Sequence, residues 1–290
     1  MVLLLLIGCA CGRPPEPGTA AHPPAPSAAA ASKPIEAPPG LIGDVLATSC
    51  EPSALVRAAD GFLLGDNEDE ERLYEFSDTM GLKATRPLST RVEDIEAIAL
   101  LGGLPVVVGS HSRSRSGKAK PDRHRILMAD GRVFAVDTTK LPDADELDIE
   151  GAVGLNDTLV LGLRAPLAAG RAQLLVVDTG AAAGRIDRVV PIDLGGAGVR
   201  ELTPYRSGFL VISGPSTDRA VPFGLWWMAN LDTPPVKLDV SLPTSSEGAW
   251  LSGSTTLRVV VDGDGEPGAC KEPGRYWDVE LDPLDGEPPG

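Results

Sequence analysis

EGAVGLNDTLVLGLRAP, residues 150–166, contains the sequence pattern that best indicates the fold. A glutamate opens a short apolar strand, Asn156 and Asp157 supply a turn, and a second apolar strand ends at Arg164. Short strands separated by turn residues, with no helical period of about 3.6 residues, are typical of β-structure. The segment therefore predicts a pair of strands in an all-β protein.

The same arrangement occurs five times along the chain. The other four copies are EPSALVRAADGFLLGDNE from Glu51, EAIALLGGLPVVVGSHSR from Glu96, ELTPYRSGFLVISGPS from Glu201 and EGAWLSGSTTLRVVVDGDGE from Glu247. The opening glutamates are 45, 54, 51 and 46 residues apart. A degenerate repeat of about 49 residues built from short strands is typical of a β-propeller. We predict an all-β propeller over residues 41–290, with five blades and with six as the alternative.

The composition agrees with this fold and limits the function. Aromatic residues make up 4% of the chain, against 33 glycines and 27 prolines, which favours many turns over long helices. The net charge is −15, so we expect no nucleic-acid partner, because general binding to nucleic acid needs a basic surface. Residues 109–127 nevertheless carry six Lys or Arg. This basic loop is either a solvated hairpin tip or a surface that steers an anionic ligand.

The first forty residues predict an anchor and a tether. An apolar run, too short to span a bilayer, leads to LIGC at residues 6–9, which resembles a bacterial lipobox. We therefore predict a lipoprotein signal segment over residues 1–9, lipid attachment at Cys9, and an extracytoplasmic protein that contacts the membrane through this lipid alone. Residues 10–40 are rich in Pro and Ala and predict a disordered tether. No Lys or Arg precedes Cys9, so the alternative is a cytosolic protein with a chance apolar start.

Propeller geometry places the candidate functional residues on one rim. The first strand of a blade lines the central channel and the second strand returns to the same end, so the start of the first strand and the loop after the second lie together. The rim is predicted to carry the five opening glutamates and the loops at residues 66–68, 110–113, 164–166, 214–216 and 262–264. The basic loop is therefore expected over the channel mouth.

Several short motifs resemble a known family. They are GSHSR at residues 109–113, IEG at 149–151, GLRAP at 162–166, GVREL at 198–202 and SGP at 213–215. In this order and spacing they resemble the uncharacterised bacterial family named domain of unknown function 3616, over roughly residues 50–282. The resemblance implies a propeller-like fold in exported proteins and no established activity. The Glu-Gly pairs at 150–151 and 247–248 are also similar to the metal-binding position of propeller lactonases and phytase-related esterase-like proteins, an analogy at the level of the fold alone.

Three arginines are predicted near the rim, Arg113, Arg164 and Arg200. Guanidinium groups bind carboxylates and phosphates through paired hydrogen bonds, so converging arginines predict a site for an anionic small molecule or polymer. Ser110 and Ser112 lie beside the first arginine and complete this candidate ligand site. The alternative is that each arginine pairs with a neighbouring glutamate and ties two blades together.

Candidate catalytic and metal-binding residues lie on the same rim. His111 is a candidate general base because the ordinary pKa of histidine lies near working pH, with a hydrogen-bonded turn residue as the alternative. Glu150 is a candidate base or metal ligand, and with Glu247 and Asp262 it would bind a divalent cation such as calcium. The alternative for residues 262–266 is an ordinary acidic turn.

These candidates leave two classes of function open. One is a metal-assisted hydrolase of a phosphoester or a lactone, in which the arginines hold the anion. The other is a non-catalytic scaffold or protein-recognition lipoprotein that uses the same face. No GxSxG elbow, zinc-ligand spacing or phosphate-binding glycine loop occurs, which argues against common α/β hydrolases and nucleotide-dependent enzymes.

Cysteines and tryptophans give two further predictions. Cys50 precedes the first inner strand and Cys270 follows the second strand of the last repeat, so both are expected on one rim. They predict a disulfide that closes the ring, with residues 41–47 as the outer strand of the last blade and two reduced buried thiols as the alternative. Trp226 and Trp227 point to opposite faces of a strand, so one ring is expected to pack between blades.

Overall fold

The computed structural model describes residues 44–46, 49–114, 116–180, 182–216, 221–263 and 270–281. Within these ranges the chain forms twenty β-strands and three short 3-10 turns. The strands make five four-stranded antiparallel sheets, each a blade of a propeller. The predicted all-β, five-bladed fold is confirmed. In the described part of the chain, no helix is long and apolar enough to cross a membrane.

The blades follow one another along the chain. The first described strand is β1 (Asp44–Val45). Blade 1 consists of β2 (Pro52–Ala58), β3 (Gly61–Asp66), β4 (Arg72–Phe76) and β5 (Leu82–Pro87). Blade 2 consists of β6 (Ile95–Leu101), β7 (Leu104–Gly109), β8 (Ile126–Leu127) and β9 (Val133–Phe134). The 3-10 turns lie between β7 and β10 and are Pro121–Arg123, Thr138–Lys140 and Ala144–Glu146.

The remaining blades have the same order. Blade 3 consists of β10 (Asp148–Leu155), β11 (Thr158–Ala165), β12 (Ala172–Val177) and β13 (Ile186–Ile192). Blade 4 consists of β14 (Gly198–Tyr205), β15 (Gly208–Gly214), β16 (Gly224–Met228) and β17 (Val236–Leu238). Blade 5 consists of β18 (Ser246–Leu251), β19 (Thr256–Val261), β20 (Arg275–Glu280) and β1.

Hydrophobic packing between neighbouring blades holds the ring together. The first strands of the blades, β2, β6, β10, β14 and β18, lie side by side around the channel. A buried apolar cluster fills each of the five blade interfaces. Trp226 packs into the cluster between blades 3 and 4, and Trp227 into the cluster between blades 4 and 5. The predicted packing of a tryptophan ring between blades is confirmed for both rings.

The two ends of the propeller join in blade 5. Strand β1 pairs antiparallel with β20 as the outer strand, as the sequence predicted. The predicted disulfide between Cys50 and Cys270 is also confirmed, with a Cα–Cα distance of 5.3 Å. Asp66 Oδ2 accepts hydrogen bonds from the hydroxyl of Ser49 (2.6 Å) and the N–H of Cys50 (2.9 Å). The segment that closes the ring is therefore held from blade 1 as well as from blade 5.

Each blade has a β-bulge where its first strand leaves the rim. The residues at these register shifts are Ser53, Glu96, Glu150, Arg200 and Glu247. A bulge turns a side chain out of the regular alternation and is common beside functional sites. The five bulges therefore place one polar or charged side chain per blade at the channel.

The bulges correct the repeat alignment. Blades 2, 3 and 5 have the opening glutamate at the bulge, but blades 1 and 4 have Ser53 and Arg200 there. The repeat alignment was therefore wrong by two residues in blade 1, where it was placed on Glu51. It was wrong by one residue in blade 4, where it was placed on Glu201. Glu201 instead lies 1% exposed, where its Oε1 accepts the N–H of Leu202 (2.6 Å). The spacing of glutamates does not reveal where a register shift occurs.

Candidate functional site

A pocket of about 890 Å³ opens at the channel mouth, where the sequence predicted a functional rim. Residues of blades 1, 2 and 3 line this channel-mouth pocket. Its carboxylates are Glu51, Glu68, Asp94, Glu96, Asp145, Glu146, Asp148 and Glu150. Its cationic side chains are Arg113, Lys120, Arg123 and Arg164. Carboxylates thus outnumber cations two to one among the described lining residues.

An ion-pair cluster that shares Asp148, Glu150 and Arg164 with this pocket joins three blades. Arg200 of blade 4 contacts Glu150 of blade 3, with 2.8 Å between Nη1 and Oε2. The same guanidinium donates from Nε to Oε2 of Glu247 in blade 5 (2.9 Å), and its Nη2 contacts the other oxygen of Glu247. Arg164 donates to Oε1 of Glu150 (2.6 Å) and lies 3.6 Å from Oδ2 of Asp148. Two arginines therefore share three carboxylates, and we call these five residues the channel cluster.

Acidic side chains of the protein itself pair with several cations of the basic loop. Arg113 pairs with Asp145, which belongs to the loop that leads into blade 3. Lys120 donates to Glu93 (2.8 Å), and Arg123 lies 3.3 Å from the same carboxylate. Arg115 lies outside the described residues. The loop lies over the channel mouth as predicted, but the positive charges named here already have partners.

The two candidate serines are tied to the carboxylate of Asp94, which directly precedes the first strand of blade 2. The hydroxyl of Ser110 donates to Asp94 and lies 2.8 Å from the hydroxyl of Ser112. Arg123 donates to the Ser112 hydroxyl (3.1 Å) and lies 2.9 Å from Asp94. Ser112 lines the pocket, whereas Ser110 is 1% exposed. Ser110 therefore supports the loop, and Ser112 is the serine that a ligand can reach.

His111 is placed as a structural residue. It is 2% exposed, and its backbone is in the left-handed region with φ +60°. Nδ1 lies 2.8 Å from the carbonyl oxygen of Gly109, and Nε2 accepts the N–H of Val136 (3.2 Å). Burial lowers the pKa of His111 to about 4, so the ring is neutral. Both nitrogens are engaged by the backbone, which matches the turn alternative and leaves neither free to act as a general base.

Burial raises the pKa values of four carboxyl groups at the channel. Burial, reinforced by the charge of Glu150, raises the pKa of Asp148 to about 7. Burial also raises the pKa of Glu247 to about 7, although an ion pair opposes the shift. Burial and then repulsion from Glu247 raise the pKa of Asp262 to about 9. Burial and repulsion from Glu150 raise the pKa of Glu96 well above its ordinary range. Part of this acidic set is therefore protonated at neutral pH.

The motifs behind the family resemblance meet at this site: GSHSR ends at Arg113, GLRAP holds Arg164, and GVREL holds Arg200. Residues 125–237 match the family "Protein of unknown function (DUF3616)". The predicted resemblance is thereby confirmed. The DUF3616 match includes Arg164 and Arg200, whereas Arg113 and Glu247 lie outside the matched residues.

Several solved structures are similar to this chain at low sequence identity. No curated protein is significantly similar in sequence. Among solved structures, virginiamycin B lyase from Staphylococcus aureus is 9% identical (TM-score 0.38), over 79% of this chain and 66% of the lyase. A putative glucose dehydrogenase from Thermus thermophilus is 12% identical (TM-score 0.45), over 83% of this chain and 100% of that protein. An exo-β-1,3-galactanase from Phanerochaete chrysosporium is 11% identical (TM-score 0.49), over 83% of this chain and 64% of the galactanase. This chain thus spans less than two thirds of the lyase and of the galactanase, and these likenesses concern the fold alone.

Two of the three predicted metal ligands lie around a guanidinium group. Glu150 and Glu247 both contact Arg200, which lies where a shared cation would have to bind. Among the described residues, no group of three or more His, Cys, Asp or Glu side chains has a metal-binding arrangement. Metal binding by these glutamates and Asp262 therefore stays a prediction.

Packing explains the two Glu-Gly pairs. A Cβ on Gly248 would lie 2.6 Å from the backbone of Leu55 in blade 1, and a Cβ on Gly151 would lie 2.9 Å from Val199 of blade 4. Real Cβ atoms do not approach neighbouring atoms so closely. The glycines are therefore required where the first strand of the next blade lies against the bulge, whether or not a metal binds.

Two aspartates of the site, Asp94 and Asp148, were not predicted from the sequence. Each precedes a bulge glutamate by two residues, within the tripeptide DIE at 94–96 and again at 148–150. The two tripeptides lie 54 residues apart, which is the repeat spacing of blades 2 and 3. This repeated acidic motif could have identified both residues, because it places a second carboxylate on the rim of each blade.

Proposed function

We propose that this protein is an exported recognition propeller that binds a positively charged group of its ligand in the channel-mouth pocket. One observation carries the proposal. Each cationic side chain found among the described lining residues is already paired with a carboxylate. The charge that remains for a ligand is negative, and complementary charge favours both the encounter and the choice of ligand.

Glu96 is the residue that we propose to contact this group. It lines the pocket at the bulge of blade 2, and no other described residue gives it a hydrogen bond or an ion pair. A cation beside it would favour its ionised form, as a nearby positive charge does for any buried carboxyl group. Glu96 is therefore available to a ligand in a way that the paired carboxylates are not.

The chemistry of the channel indicates the kind of cation. Glu150 holds the guanidinium groups of Arg164 and Arg200, so carboxylates at this depth already bind planar organic cations. Charge-assisted hydrogen bonds of this kind are among the stronger ones in proteins. A pocket of about 890 Å³ also lies within the size range of small-molecule sites. We therefore propose a ligand with a guanidinium or ammonium group, either a small molecule or a basic side chain of a protein partner.

Export and lipid attachment belong to the same proposal. The Cys50–Cys270 disulfide supports an extracytoplasmic location, because disulfides persist in oxidising compartments. Residues 1–43, which include Cys9 and the whole predicted tether, lie outside the described residues. Lipid attachment at Cys9 rests on the lipobox resemblance.

The anionic ligand and the hydrolase remain predictions with less support. Arg113 and Arg200 pair with carboxylates of other blades, as the scaffold alternative expected, and Arg164 pairs within its own blade. An anion at neutral pH would have to displace these carboxylates or add to their negative charge. A binding protein that uses the pocket without catalysis agrees better with these contacts.

Replacing Glu96 by glutamine is expected to weaken the binding of agmatine at pH 8 by about tenfold or more. The change keeps the shape of the side chain and removes the charge of a charge-assisted hydrogen bond worth about 1.5–3 kcal/mol. Agmatine serves as the probe because its guanidinium and primary ammonium groups both stay charged at this pH. Isothermal titration calorimetry on the full chain with Cys9→Ser, which prevents lipid attachment, measures the effect.

The matched control is Glu272→Gln, at an exposed glutamate outside the pocket, which should bind agmatine like the parent protein. If the Glu96→Gln variant and the parent bind agmatine with equal affinity, Glu96 does not contact the ligand. If the parent protein binds sulfate but not agmatine at the same pH, the ligand is an anion and the proposed positive charge is wrong.

A further inference from the structure

Two carboxylates of the channel-mouth pocket have side chains without a hydrogen bond or ion pair to any described residue. One is Glu96, at the bulge of blade 2. The other is Glu146, an exposed residue at the end of the 3-10 turn that leads into blade 3. The other carboxylates of the described lining already have partners, and they are Glu51, Glu68, Asp94, Asp145, Asp148 and Glu150. The pocket therefore offers two separate negative charges to a ligand.

The turn that carries Glu146 is anchored to the rest of the propeller. The N–H of Glu146 donates to the carbonyl oxygen of Asp143 (2.9 Å). The next residue, Leu147, is 2% exposed and packs into the apolar cluster between blades 2 and 3. Asp145 of the same turn pairs with Arg113 of the basic loop. One carboxylate of the turn thus holds the loop, and its neighbour Glu146 lines the pocket from a defined position.

The two carboxylates lie at different depths of the pocket. Glu146 precedes Glu150 by four residues, and Glu150 occupies the bulge of blade 3 as Glu96 occupies the bulge of blade 2. The first strands of these two blades lie side by side. Four residues of extended chain span at most about 14 Å, which limits the distance between the Cα atoms of Glu146 and Glu150. A chain of about four to six methylene groups with a cation at each end, each making a hydrogen bond of about 2.9 Å, covers a similar length.

The rest of the pocket lining restricts the chemistry of such a ligand. Its arginines are occupied by carboxylates, so they neither bind an anion freely nor leave these carboxylates open to a further cation. Leu147 is the one apolar residue among the described lining residues, and it is almost fully buried. A bulky aromatic cation would therefore find little apolar surface to contact. The lining favours a slender ligand with its charges at the two ends.

We propose that the pocket selects a linear organic dication of the alkyl diamine or aminoalkylguanidine class. The inner cationic group binds Glu96 and the outer cationic group binds Glu146. This inference rests on the proposed function, which assigns a cation to Glu96, and it adds the second contact and the class of the ligand. A ligand with a single cation leaves Glu146 without an ion pair and binds more weakly.

Agmatine and n-pentylguanidine test the second contact, because a methyl group replaces the terminal ammonium group in the second molecule. At low ionic strength the parent protein should bind agmatine about threefold or more tightly, which is the order of effect expected for an exposed ion pair. Glu146→Gln should abolish this preference by weakening the binding of agmatine alone. Isothermal titration calorimetry at pH 8, on the full chain with Cys9→Ser, measures the affinities.

The matched control is Asp143→Asn, which removes one exposed carboxylate three residues from Glu146 and outside the described pocket lining. Asp143 has a positive φ of 57°, a conformation that asparagine also adopts readily, so the turn should be retained. This variant should keep the preference for agmatine. Equal loss of the preference in both variants would assign it to the general negative charge of the loop and would overturn the contact with Glu146.

The length of the ligand is tested on the parent protein alone. In a series of linear diamines with about two to eight methylene groups, the affinity should be highest at about four to six, where both carboxylates are reached. Affinities that stay constant or fall steadily along the series would overturn the proposed fit.

The outcomes separate this inference from the proposed function. Glu96→Gln should weaken the binding of agmatine and n-pentylguanidine by similar factors, because both ligands place a guanidinium group at Glu96. If it does so while Glu146→Gln leaves the preference for agmatine unchanged, the second contact is wrong and the proposed function stands. If the parent protein binds neither guanidine nor any diamine, the proposed function is wrong and the dication with it.

Discussion

Replacing Arg200 by methionine is expected to lower the free energy of unfolding by about 3–5 kcal/mol at pH 7, because it removes the shared partner from two buried glutamates. The side chain of Arg200 is 10% exposed, and those of Glu150 and Glu247 are 3% and 5% exposed. Methionine fills much of the volume but cannot neutralise either carboxylate. The midpoint of thermal unfolding should fall by about 10 °C for a domain of this size.

The pH dependence of this variant has a defined sign. Without the guanidinium, the folded-state pKa of Glu247 rises further above its value in the unfolded chain, so the folded state gains protons relative to the unfolded state as the pH falls. The destabilisation should therefore be largest at pH 8 and should shrink toward pH 5. The control is Arg188→Met, which breaks an exposed pair with Asp232 and should cost about 0–1 kcal/mol. Equal losses in the two variants would show that the channel cluster contributes little to stability.

Reduction of the Cys50–Cys270 disulfide is expected to lower the free energy of unfolding substantially. The bridge closes a loop of 220 residues, and a loop of this length constrains the unfolded chain by about 5 kcal/mol in the chain-entropy model. Cys50 is fully buried at the junction of blades 5 and 1, so the same bond also holds the ring where its ends meet. Denaturant unfolding of the oxidised and the reduced protein measures the difference.

The Cys50→Ala/Cys270→Ala variant is the control for this measurement. Its stability should equal that of the reduced protein within about 1 kcal/mol and should not respond to reductant. If mass spectrometry shows full reduction of the parent protein while its unfolding free energy stays the same, the disulfide does not stabilise the closed ring.

The architecture was predictable from the sequence because it repeats. Five copies of a strand pair, marked by turn residues such as Asn156-Asp157, define the blades, and the positions of Cys50 and Cys270 predict where the ring closes. The bulges were not predictable, because a register shift depends on the partner strand and not on spacing along one chain. For this reason the bulge of blade 4 holds Arg200, although the sequence alignment placed Glu201 at that position.

The location of the site was also predictable, but its charge balance was not. The sequence placed Arg113, Arg164 and Arg200 on one rim, and the structure pairs each of them with a carboxylate. An ion pair between residues far apart in sequence, such as the contact of Arg113 with Asp145, leaves no local pattern. The structural role of His111 could not be predicted from the sequence either, because both of its hydrogen bonds are made to backbone groups that folding brings together.

A crystal structure of the protein with agmatine at pH 8 would show whether the channel-mouth pocket binds a cationic group. We expect a guanidinium or ammonium group within about 3 Å of the carboxylate of Glu96, in the channel-mouth pocket. A pocket without agmatine at saturating concentration, or an anion bound to Arg164 in the same crystals, would contradict it.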